Sequence, residues 1–92
     1  VLRAAAASAL NDGEALVESG RYVAAYISDK LRRTNTGEYS MSDNELNAMI
    51  IRLGAFEIRL SELEGKNDTR ARDVTETITR TMEQAQAIAN KR

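Results

Sequence analysis

The stretch SDNELNAMIIRLGAFEIRLSELEG, residues 42–65, decides the fold. Ser42 followed three positions later by Glu45 has the form of a capping box, in which the Ser oxygen takes a helix N–H and the Glu reaches back. Leu46, Met49, Leu53, Phe56, Leu60 and Leu63 then recur at alternating intervals of three and four. That spacing predicts a helix with a heptad seam along one side. Gly65 marks its end.

A second apolar stripe lies on the same helix. At about 100° per residue, Ile51, Ala55 and Ile58, with Ala48 beside them, fall roughly opposite the seam. Arg52 and Arg59 separate the two stripes on one side, and Gly54 and Ser61 on the other. One stripe is enough to join a bundle. Two stripes make this helix central, covered by the N-terminal helices of its own chain, or make Ala48, Ile51, Ala55 and Ile58 a partner-binding face, since exposed apolar patches mark interaction sites.

Toward the C-terminus, Gly65 to Asp68 reads as a short connection before another helix that runs nearly to the end. Val74, Ile78, Thr81, Ala85 and Ile88 form its seam, with Met82 alongside. So short a connection predicts an antiparallel helical hairpin over 42–92. Charge agrees, because residues 41–65 carry two cations and five carboxylates, whereas 66–92 carry six and four. Thr75, Thr77, Thr79 and Thr81 lower helix propensity, and the helix has only four large apolar residues, so its later turns are expected to fray or to be ordered only on a partner.

Working toward the N-terminus, two shorter helices are expected. One spans about Leu2 to Ser19, with Leu2, Ala6, Ala9, Gly13 and Leu16 on one stripe, and Asn11 able to cap a break before Glu14. Gly20 suits the left-handed residue that ends a helix. The next spans about Tyr22 to Arg33, with Tyr22 or Val23, Tyr26, Ile27 and Leu31 as its apolar face. Thr34 to Met41 reads as a loop whose Tyr39 and Met41 fold back on the bundle. Gly13, Leu16, Gly20, Tyr22 and Ala25 have a spacing that resembles the first half of a tetratricopeptide repeat. Asp29 and Arg32 break the second half, and no Pro follows. One partial copy makes no array, so the reading kept is a generic helical hairpin with a Gly turn. The fold class is therefore all-α, one domain over residues 1–92, a small bundle of about four helices.

Composition narrows the function. With no His and no Cys, zinc fingers, disulfides, thiol nucleophiles and His general bases are excluded. Glu45, Glu57, Glu62, Glu64, Asp73 and Glu76 fall at positions expected to be exposed on helices, and none forms a recognisable acid–base pair. No phosphate loop or nucleophile motif is present, so no catalysis, cofactor, metal or small-molecule ligand is expected. Thirteen cations against fourteen carboxylates argue against a general nucleic-acid binder. Arg32 with Arg33, and Arg70 with Arg72, are the residues that an oligomer could gather into a basic surface for nucleic acid. No apolar run reaches membrane-spanning length. A cytoplasmic location is the default expectation.

Fourteen of the hydrophobic residues are Ala, which leaves 25 larger ones to build a core. A chain this short buries only about 60% of its unfolded surface, and association is a common remedy. The sequence thus points to a non-catalytic assembly or interaction module of the small-subunit, assembly or secretion chaperone, or viral accessory type. Its partner is expected to be a second copy or another protein. The alternative is a nucleic-acid accessory protein whose basic surface forms only in the oligomer.

Overall fold

The computed structural model describes residues 12–65 and 69–92. The part of the expected first helix, Leu2 to Ser19, that runs up to Asn11, with Asn11 as its possible internal cap, lies outside them. The described residues form three helices and no strand: α1 (Asp12–Asn35), α2 (Asp43–Glu64) and α3 (Thr69–Lys91). The all-α expectation holds. Among the described residues the count is three rather than about four, because α1 runs unbroken through Gly20 where a helical hairpin was anticipated.

The physical reason is packing. A Cβ built on Gly20 would lie 3.0 Å from Val74 Cγ1, 3.4 Å from Leu60 Cδ1 and 3.6 Å from Phe56 Cδ1. Gly20 is the point of close approach between α1 and the other two helices. Its missing side chain admits them, and tertiary contact overrides the weak helix propensity of Gly. Val17, Ala24, Ile27 and Leu31 continue the same buried stripe at intervals of three and four. Tyr26, expected on that apolar face, instead points to solvent, and of the alternatives Tyr22 and Val23 it is Val23 that packs against the core while Tyr22 points outward.

The α2 and α3 seams form the antiparallel hairpin and the most extensive helix contact in the bundle. Leu46, Met49, Leu53 and Leu60 are buried on α2, with Phe56 and Leu63 half-buried. Val74, Ile78, Thr81, Ala85 and Ile88 are all buried on α3, joined by Ala71. The Thr81 hydroxyl satisfies itself by donating to the Thr77 carbonyl at 2.8 Å, so a polar group sits in the core at no net loss. Thr75 and Thr77 bond back one turn in the same way.

The last turns of α3, expected to fray or to be ordered only on a partner, are helical as far as Lys91. Ile88 is buried, and the Arg92 guanidinium donates to Asp43 Oδ1 at 2.6 Å and to the Met41 carbonyl. The chain end is thereby tied to the start of α2. Met41 folds back into the core and Tyr39 is half-buried against it, as their apolar character suggested. The Ser42 hydroxyl accepts the Glu45 N–H at 3.1 Å, which caps α2. The Glu45 carboxylate takes the Tyr39 hydroxyl, so the acid of the anticipated capping box serves the preceding loop.

Candidate interaction surface

The seam of α2 faces α1 and α3, and this leaves its other side toward solvent. Ala48, Ile51, Ala55 and Ile58 all lie there. Ile51 is 72% exposed and Ile58 65%. Arg52 and Arg59 are exposed along the α1 side of this stripe. Gly54 borders the α3 side, where a Cβ would meet only the tip of Met82 at 3.7 Å. Glu57, nearer α3, accepts the Thr79 hydroxyl at 2.9 Å across the two helices, which leaves it half-buried rather than exposed as expected. Glu45 and Glu64 are also half-buried.

Between α1 and α2 a shallow depression is lined by Tyr26, Ile27, Glu45, Ala48, Met49 and Arg52. It joins the apolar stripe of α2 to an exposed aromatic residue of α1. Tyr26 is 52% exposed, and Tyr22, one turn earlier, is 74% exposed. Sequence periodicity placed Tyr26 on the apolar face and left Tyr22 and Val23 as alternatives there. The available signal was the i, i+4 spacing of the small residues Gly20 and Ala24, which defines a different stripe for the helix contact.

One end of this depression is held by charge. Lys30 Nζ sits 4.1 Å from the centroid of the Tyr39 ring and 5.7 Å from that of Tyr26. Both distances suit attraction of a cation to a ring face. The hydrogen bond to the Glu45 carboxylate raises the Tyr39 pKa above its ordinary value, because ionising the phenol would remove the donor and set two anions together.

Within a single chain, the four arginines that an oligomer was expected to gather lie apart. Arg32 and Arg33 lie in the last turns of α1 and both engage Asp29, at 2.7 and 3.2 Å. The Arg32 hydrogen bond holds Asp29 below the ordinary aspartate range, and Asp29 in turn raises Arg32. Arg70 and Arg72 lie in the first turn of α3, 4.0 Å from Glu14 and 3.9 Å from Glu64. Since α1 and α3 run alongside each other in the same direction, the two pairs occupy opposite ends of the bundle.

No group of three or more carboxylates suited to a metal ion occurs among the described residues. No described helix is long and apolar enough to cross a membrane. Comparisons with protein-family models, with curated proteins and with solved structures give no significant match.

Proposed function

We propose that this chain is a non-catalytic protein–protein assembly module that acts by burying the outer face of α2 against a second protein surface. The observation that carries the reading is the exposure of Ile51 and Ile58 on one side of a helix whose other side already serves the core. Two exposed β-branched residues one heptad apart, with Ala48 before them and Ala55 between them, present a continuous apolar ridge. Burying such a side chain gains about 1.5–3 kcal/mol. A flanking row of charged and polar residues matches the anatomy of an interface, with an apolar centre and a polar rim.

The test is affinity capture from the native source. Tagged wild type is compared with the Ile51→Glu/Ile58→Glu double variant, after circular dichroism has shown equal helicity. The wild type should retain a protein, of its own kind or another, that the variant loses. Equal recovery by both chains overturns the reading.

A further inference from the structure

We infer that the partner at the α2 face is a second copy of this chain, docked with its α2 antiparallel; this rests on the assembly reading above. The first argument is the order of sizes along the ridge: small, large, small, large at Ala48, Ile51, Ala55 and Ile58. A two-fold axis beside Leu53 sets each position against its mirror position in the second copy. Ala48 then meets Ile58, and Ile51 meets Ala55. All four layers become one large residue against one small one, which is the uniform packing that lets two helices lie close. Such a self-complementary patch is what a two-fold interface requires. A parallel pair would stack Ile on Ile and Ala on Ala, giving alternate thick and thin layers.

Charge supplies the second argument. In the antiparallel pair, like flanks meet. On the α1 flank, Arg59 of one copy comes within about 3 Å, along the helix axis, of the level of Glu45 of the other, whose carboxylate also holds the Tyr39 hydroxyl, and this happens twice, once at each end of the contact. On the α3 flank, Gly54 falls beside the axis with open space around it apart from the tip of Met82. There the two backbones can approach, with Asn47 and Ser61 as polar neighbours on either side. Parallel docking would oppose Arg52 and Arg59 to the uncharged Gly54 and Ser61 flank and lose both ion pairs. Arg52 comes near its own copy, but both side chains are exposed, where water and salt screen the repulsion.

The 92-residue chain contains no Cys, so introduced thiols are unique. Ala48→Cys and Ile58→Cys chains are oxidised separately and as an equal mixture, beside sedimentation of the wild type. The expected result is a species of twice 10.2 kDa and a disulfide that forms efficiently only in the mixture. In the antiparallel pair, two copies of residue 48 lie about 15 Å apart along the helix axis, beyond the roughly 7 Å limit for bridging Cα atoms. Ile51→Glu/Ile58→Glu should raise the dissociation constant about 100-fold or more, since four buried apolar side chains are lost per dimer. Efficient self-crosslinking by each variant alone overturns the antiparallel arrangement. A wild type that stays monomeric at high micromolar concentration overturns self-pairing altogether. The assembly reading falls only if affinity capture is also indifferent to Ile51→Glu/Ile58→Glu.

Discussion

Replacing Gly20 by Ala tests the geometry of the bundle, because two effects of similar size oppose each other. Within a helix, Ala is favoured over Gly by about 1 kcal/mol. Against this, the new methyl would sit 3.0 Å from Val74 Cγ1 and 3.4 Å from Leu60 Cδ1. Forcing an extra carbon into such a contact costs about 1–3 kcal/mol. The single variant should therefore lose up to about 2 kcal/mol, the difference of those terms. Val74→Ala removes the obstructing methyl and by itself costs about 1.6 kcal/mol for two lost carbons, plus a term for the cavity. In that background Gly20→Ala should stabilise, because the helix gain remains and the methyl occupies vacated space. The cycle is measured by urea denaturation followed by circular dichroism, at one fixed chain concentration since association would shift apparent stability. We expect a favourable coupling of about 1–3 kcal/mol between the two sites. Additivity within about 0.5 kcal/mol would refute the close approach. If Gly20 instead ended a helix in the left-handed conformation, Ala would destabilise both backgrounds equally.

Two further outcomes follow from local contacts. Ser42→Ala removes the hydroxyl that accepts the Glu45 N–H and should cost about 1 kcal/mol, read from the same denaturation curves; Ser42→Gly should cost less, and equal losses would assign the effect elsewhere. Asp29, paired with Arg32 and Arg33, should titrate below the ordinary aspartate value when followed by nuclear magnetic resonance. Its folded pKa is depressed, so the pairing contributes above the unfolded pKa and is lost as pH falls through the lower folded value; a midpoint at or above the ordinary value contradicts the pairing.

The basis of the antiparallel hairpin was legible in residues 42–92. Its two seams, the Ser42 cap and the Gly65 stop are each set by residues close together in the chain. Apolar spacing and capping chemistry are local properties, so sequence alone carries them. The ridge of Ala48, Ile51, Ala55 and Ile58 was equally legible as a stripe, because helix geometry puts those positions on one side. Whether another part of the chain covered it was not legible.

That question, and the fate of Gly20, Tyr22 and Tyr26, turned on contacts between segments distant in sequence. Gly has the same intrinsic freedom at a helix stop as at a close helix crossing. Only the approach of Val74, Leu60 and Phe56 distinguishes the two. Once Gly20 is the crossing point, Ala24 and Ile27 follow it into the core and the neighbouring tyrosines rotate outward. The end of α3 was likewise decided from afar. Its threonines weaken the helix locally, yet Arg92 reaches Asp43 and the Met41 carbonyl and Ile88 is buried, so tertiary contacts complete what local propensity leaves marginal. Periodicity says which residues share a side of a helix; only the meeting of the helices says which side is inside.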